Sequence, residues 1–177
     1  MYFSLNAQAV CNHILQIMDI VSRWPGATHD AYVFNNSRLR ARLKTGEMGD
    51  GILLGDSGYP VRPYLLTPLR NPRTAAENLY NESQIRTRNC IERTFGVWKR
   101  RFPILSLGTR VKLETVQEII VATAVLHKIA VSKRLLQFEE DEDNAPLGEE
   151  PDIGLRDEGQ GNDYVRQQFI NDYFRNL

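Results

Sequence analysis

Two carboxylates are the residues of this sequence best placed to do chemistry. Asp56 lies in Ile52-Leu53-Leu54-Gly55-Asp56-Ser57-Gly58-Tyr59-Pro60, where an unbroken apolar triplet runs into a Gly/Ser/Gly/Pro turn. The triplet predicts a strand buried on both faces, so Asp56 stands where a core strand surfaces, which is where α/β sheets gather their ligands. An Asp before Ser-Gly also has a plain structural use, because its side chain can bond the backbone of its own turn. Glu92, thirty-six positions on, sits in Arg88-Asn89-Cys90-Ile91-Glu92-Arg93-Thr94-Phe95-Gly96-Val97-Trp98-Lys99, a helical stretch bordered by basic residues. A Glu beside an Arg on a helix can equally be one half of a surface ion pair. Taken together, a strand-end Asp and a helix-borne Glu can converge on one hard divalent cation, and basic neighbours suit a phosphate substrate.

These groups need elements to hold them. Residues 2–10 alternate, with Phe3, Leu5, Ala7 and Ala9 on one side and Ser4, Asn6 and Gln8 on the other, which predicts a strand with one polar face. Asn12-His13 connects it to a second strand at 16–21, and Trp24-Pro25-Gly26-Ala27 reads as a turn. In Thr28-His29-Asp30, Thr28 and Asp30 are both candidate caps for a helix over 31–35; the His-Asp pair is also a candidate catalytic pair. Ser37 is positioned to cap the next helix, over 38–44. Pro63 and Pro68 leave room for only a short edge strand around Tyr64-Leu65-Leu66-Thr67.

Thr74-Ala75-Ala76-Glu77 matches a capping box and opens a long helix. In its later part Ile91, Phe95, Trp98 and Phe102 recur at three- and four-residue spacing and form the core stripe, with Glu92 at its border. Lys99-Arg100-Arg101 ahead of Pro103 complements the helix dipole and can also meet phosphates. A further helix over 113–136 places Val116, Ile119, Ile120, Ala124, His127, Val131 and Leu135 on one side, with His127 read as a satisfied core histidine. Residues 163–176 regain a helical pattern that either docks back on the body or presents a recognition helix to a partner.

Composition sets outer bounds. At 177 residues and 42% apolar content the chain can bury one core, giving an expected body at 1–138, an acidic linker at 139–162 and a short helix at 163–177. Zero net charge conceals two opposite blocks: 19 Lys/Arg against 10 Asp/Glu up to Phe138, a net of +9, then 3 against 12, a net of −9. A positive body favours a polyanion such as nucleic acid, and the acidic stretch has the composition of a disordered tail. Cys11 and Cys90 make no disulfide framework, no signal peptide opens the sequence, and the most apolar window, 119–129, is too short for a bilayer span. The expectation is an intracellular protein without a membrane partner.

Five motifs in order carry a resemblance: residues 2–10, Trp24-Pro25-Gly26-Ala27-Thr28-His29-Asp30, Leu54-Gly55-Asp56-Ser57-Gly58-Tyr59-Pro60, Leu66-Thr67-Pro68, and Arg86 through Gly96. Over roughly 2–131 the chain resembles the PIF/Harbinger transposases and the Harbinger transposase-derived nucleases. The resemblance implies an α/β, RNase H-like mixed sheet flanked by helices and a DDE active site in which three carboxylates hold a divalent metal, Mg2+ or Mn2+, to cut DNA phosphodiesters. Asp56 matches the second carboxylate and Glu92 the third; Arg88, Arg93, Lys99 and Arg100 are candidate nucleic-acid contacts. The first catalytic Asp and its central strand, expected upstream of Tyr2, have no counterpart, so an N-terminally truncated and catalytically impaired domain is expected. The alternative is a non-catalytic DNA- or protein-binding module. The resemblance further implies DNA as partner, a separate Myb-like protein and a nuclear location. It also notes Leu126-His127-Lys128 where relatives often carry Leu-His-Asn.

Overall fold

The computed structural model of the chain describes residues 4–107, 111–135 and 163–175. The acidic linker expected at 139–162 lies outside them. The chain separates into two compact units, one built from residues 1–28 and 89–148, the other from 29–88 and 149–177. Each is α/β, and each has its own two-stranded sheet.

The first, the hairpin unit, is founded on antiparallel β1 (Leu5–Cys11) and β2 (Ile17–Pro25), paired from Leu5 opposite Pro25 to Cys11 opposite Ile17. The second strand extends past the expected 16–21 and takes in Trp24 and Pro25, so the turn begins only at Gly26. Proline is tolerated there because it is the terminal strand residue, where no ladder donor is required. The connecting loop turns on Asn12, whose Oδ1 accepts the amides of Ile14 (3.2 Å) and Gln16 (3.0 Å). Leu15 takes a positive φ of 63° within that loop.

Ile17, Trp98 and Ala124 make the core of this unit, with Ala9, Ile20, Phe95, Phe102, Leu105 and Ile120 packed against them. Full burial of a side chain such as that of Ile17 stabilises by about 1.5–3 kcal/mol. Trp98 and Phe95 come from α3 (Ala75–Arg101), Ala124 from α4 (Leu113–Ser132). The expected stripe on α4 faces inward as far as Val131; Leu135, beyond the helix end, is 54% exposed instead. At 20 residues α4 is long and apolar enough to cross a membrane by length and composition alone, a test that core helices also pass. Its inner face, however, carries Thr123, Ala124 and His127 buried in the unit.

The second, the short-strand unit, holds α1 (Asp30–Asn35), α2 (Arg38–Lys44), β3 (Leu53–Leu54), β4 (Leu65–Leu66), the opening half of α3, and α5 (Asp163–Tyr173). Ser37 caps α2 as expected, its hydroxyl accepting the Arg40 amide at 3.1 Å. Asp30 does not cap α1: it is the first helical residue, and His29 occupies the cap without a side-chain bond. The acidic charge in the first turn still suits the helix dipole.

β3 and β4 pair in parallel over two residues each, Leu53 with Leu65 and Leu54 with Leu66. This corrects two expectations. The described residues form two separate two-stranded sheets rather than one mixed sheet. Nor is the Ile52-Leu53-Leu54 triplet buried on both faces, since Ile52 is 44% exposed and the leucines are half-buried. β3 has β4 on one edge and no other strand partner among the described residues.

α5 settles the choice left open for the C-terminal helix: it docks within this unit. Ile170 is buried, and Phe169 and Phe174 place their rings 6.4 and 5.7 Å from that of Tyr80, edge to face. Arg166 donates to the Thr67 and Pro68 carbonyls at 3.3 and 3.0 Å and pairs with Asp163 at 2.6 Å.

Candidate active site

Asp56 follows β3 in a turn whose glycines sit close to their neighbours. A Cβ on Gly55 would stand 3.0 Å from the Tyr59 ring and 3.1 Å from Leu65 Cδ1, and one on Gly58 would stand 3.0 Å from Asp56 Oδ1. The two sequence readings of Asp56 coexist in one side chain. Its Oδ1 accepts the Gly58 amide at 2.9 Å, the turn bond that Asp supplies in such loops. Its Oδ2 faces the Arg88 guanidinium, with Nη1 at 3.8 Å. Both side chains are partly enclosed, 32% and 19% exposed, so this pair is less screened than a rim ion pair.

What holds the turn is the opening half of α3. Gln84, almost fully buried, donates from Nε2 to the Gly55 carbonyl at 2.7 Å, one residue before Asp56. Four residues earlier Tyr80 donates its hydroxyl to the Thr67 carbonyl at 2.8 Å, and burial pushes its phenol up to about 12. Asn81 grips Leu69 twice, accepting its amide and donating to its carbonyl, both at 2.8 Å. Tyr80, Gln84 and Arg88 recur every four residues and so share one helix face. The helix starts from the expected capping box: Thr74 Oγ1 accepts the Glu77 amide at 3.2 Å, and Glu77 accepts the amides of Thr74 (3.0 Å) and Arg73 (2.6 Å). Those backbone bonds hold the Glu77 carboxyl below its usual range.

Sequence reasoning missed Tyr80, Asn81 and Gln84. Their signal was present as a polar four-residue period in the part of the helix that lacks an apolar stripe.

Of the expected site residues, the structure brings Asp56 and Arg88 together. Glu92, Arg93, Lys99 and Arg100 lie further along α3, in the portion belonging to the hairpin unit, and all four are exposed. Glu92 is therefore solvent-facing rather than at the border of the buried face; the most enclosed residue of that turn is Thr94, fully buried with its hydroxyl on the Cys90 carbonyl at 2.7 Å.

Among the described residues no group of three or more His, Cys, Asp or Glu is gathered to hold a metal ion. The donor chemistry is nonetheless that of a hard cation. Asp56 Oδ2 already faces a positive group, and the buried Oε1 of Gln84 has no hydrogen-bond partner among the described residues. Asp56 would hold such an ion, which would supply Lewis acidity and activate water.

His127 is a structural residue, as expected. It is fully buried; its Nε2 meets the Leu15 carbonyl at 2.9 Å and its Nδ1 the Arg101 guanidinium at 3.2 Å. Since a guanidinium only donates, Nδ1 accepts and Nε2–H donates, fixing the neutral tautomer. Burial lowers its pKa, the Leu15 carbonyl opposes that shift, and Arg101 adds to it.

Residues 1–128 match the family model described as DDE superfamily endonuclease. The mouse protein named "Putative nuclease HARBI1" is 39% identical over 132 residues, covering 72% of this chain and 38% of that protein. Its Xenopus laevis namesake is 30% identical over 136 residues, 75% of this chain and 39% of the relative. "Protein ALP1-like" of Arabidopsis thaliana is 24% identical over 172 residues, 87% of this chain and 41% of the relative. The chain thus spans about two fifths of the length of these curated relatives. No solved structure matches it. The motif order, the strand-end Asp56 and the family match agree, and the chain belongs to the DDE superfamily endonucleases, among the Harbinger transposase-derived nucleases.

Proposed function

We propose that this chain is a metal-dependent DNA nuclease domain with an RNase H-like ancestry, in which Asp56 and Glu92 are ligands for Mg2+ or Mn2+ and Arg88, Arg93, Lys99 and Arg100 meet the phosphate backbone. The observation that carries the reading is the Asp56 carboxylate at the end of β3 with a cationic group 3.8 Å from Oδ2. Arg88 places positive charge beside Asp56 where a divalent cation would add its own, and its planar fork is suited to a phosphate. DNA as substrate follows from the family; a Myb-like partner and a nuclear location belong to the same proposal.

Turnover by this chain alone is expected to be weak. Two-metal phosphoryl transfer needs a carboxylate shared between ions about 4 Å apart, and among the described residues no group of three or more His, Cys, Asp or Glu is gathered to supply it. A second reading, a DNA-binding module without catalysis, is favoured by the commitment of Asp56 Oδ1 to the Gly58 amide.

The test is Mn2+ binding followed by paramagnetic resonance, beside cleavage of supercoiled DNA in Mg2+ or Mn2+. Asp56→Ala is expected to abolish Mn2+ binding, and Arg88→Gln to strengthen it several-fold by removing the competing charge. Wild-type affinity in Asp56→Ala would overturn the metal reading. Cleavage that is lost in Asp56→Ala would overturn the expected impairment and establish the enzyme.

A further inference from the structure

The two cysteines, which make no disulfide framework in the sequence, meet in the hairpin unit. Cys11 is the last residue of β1 and Cys90 lies in α3, and their sulfurs are 3.4 Å apart. Both are free and half-buried. Seventy-nine positions separate them, so their contact is a product of tertiary folding rather than of local sequence. We propose that Cys11 and Cys90 form a dithiol site for small aliphatic disulfides of the glutathione type, which oxidise the pair to an intramolecular disulfide tying β1 to α3.

The geometry asks for little. A disulfide needs sulfurs about 2.05 Å apart, so the gap to close is ~1.4 Å, within reach of side-chain rotation. The strand also has slack at this end, since its register shifts between Val10 and Cys11. Two cysteines packed as small apolar residues would satisfy burial equally well. What sets this pair apart is mutual contact across two elements, which makes the second step of an exchange intramolecular and therefore fast relative to a second external thiol.

Exchange takes two steps. The Cys11 thiolate displaces one half of the small disulfide, which leaves with the bonding electron pair and takes up a proton as a free thiol. The mixed disulfide on Cys11 is then attacked by the Cys90 sulfur, whose proton goes to solvent, and the second small thiol departs. Two protein thiols are oxidised and one small disulfide is reduced to two thiols. The bond would fix α3 to the strand two residues before Glu92. This inference does not depend on metal or DNA.

The experiment treats the full chain with glutathione disulfide, then uses intact-mass measurement, peptide mapping and a non-reducing gel. The expected product is a monomer lighter by two hydrogens, with Cys11 and Cys90 peptides joined and a higher melting temperature that returns to the starting value with reductant. Cys90→Ser and Cys90→Ala, two replacements that guard against a misfolded variant, should each halt at a mixed disulfide on Cys11. A wild-type chain that retains glutathione adducts, crosslinks only into dimers, or stays fully reduced under conditions that modify Cys11 in the Cys90 variants would overturn the proposal. So would an unchanged or lowered melting temperature after the bond has formed.

Discussion

The two units solve the same problem by different means. The hairpin unit has strands of seven and nine residues, and their ladder satisfies the backbone while Ile17, Trp98 and Ala124 supply the core. The short-strand unit has two-residue strands, so most of the backbone around Asp56 has no ladder to join. Side chains take over that role. Gln84, Tyr80 and Asn81 from α3 and Arg166 from α5 reach the carbonyls of Gly55, Thr67, Leu69 and Pro68. Where a sheet is short, a polar helix face can do the work of a missing strand, and the loop carrying the candidate ligand is positioned by amide and hydroxyl groups. A buried carbonyl left without its donor is expensive, which makes these contacts testable one by one.

The largest expected effect is at Gln84. Gln84→Leu removes the donor to the Gly55 carbonyl and should cost about 1–3 kcal/mol in urea denaturation. Gln16→Leu, which in the hairpin unit removes a bond to the exposed Ser132 hydroxyl and the acceptor of the Asn12 side-chain amide, should stay within about 1 kcal/mol. Equal costs would break the contrast between the units.

The next test is pH. His127 has a lowered pKa in the folded chain, so as pH falls the unfolded chain takes up its proton first. The associated stability is fully present above about 6.5 and is lost as pH falls through the folded value, by up to ~1.4 kcal/mol per pH unit. Melting temperatures of wild type and His127→Gln between neutral and mildly acidic pH should therefore converge; parallel curves would remove His127 as the acid-sensitive group. The short-strand unit should show the opposite sign. Tyr80 has a raised pKa, so its contribution is intact below about 10 and lost as pH climbs through about 12.

A smaller effect than at Gln84 belongs to Tyr80→Phe. It deletes one bond to the Thr67 carbonyl, but Arg166 still donates to that oxygen, so the cost should be ~0.5–1 kcal/mol. A larger loss would show that Arg166 cannot substitute, and that Tyr80 carries more of the loop than its geometry indicates.

Features governed by local spacing were readable in advance. The Thr74/Glu77 box, the Ser37 cap and the inward face of α4 with His127 depend on three- and four-residue periods and are found where expected. Features that depend on what lies beside a strand were not. Whether Ile52 is covered depends on its neighbours in space, and the extension of β2 through Pro25 depends on Leu5 lying opposite. The candidate site shows the same division: Asp56 was legible from its turn, and Arg88 was named as a basic neighbour and a candidate nucleic-acid contact. Their pairing across the fold, and the anchoring role of Gln84, appear only once α3 is laid against the turn.

The discontinuity of both units has a consequence for synthesis. Leu15 waits for His127, 112 residues later, and Thr67 waits for Arg166, 99 residues later. At ribosomal speeds of 5–20 residues per second, the first hairpin is made roughly 6–22 s before the helix that covers it. Its apolar side meets Phe95 and Trp98 of α3 first and Ala124 of α4 only later, so nascent-chain aggregation or chaperone capture should concentrate on residues 5–25 until both helices are made. Neither unit can close in the order in which it is translated.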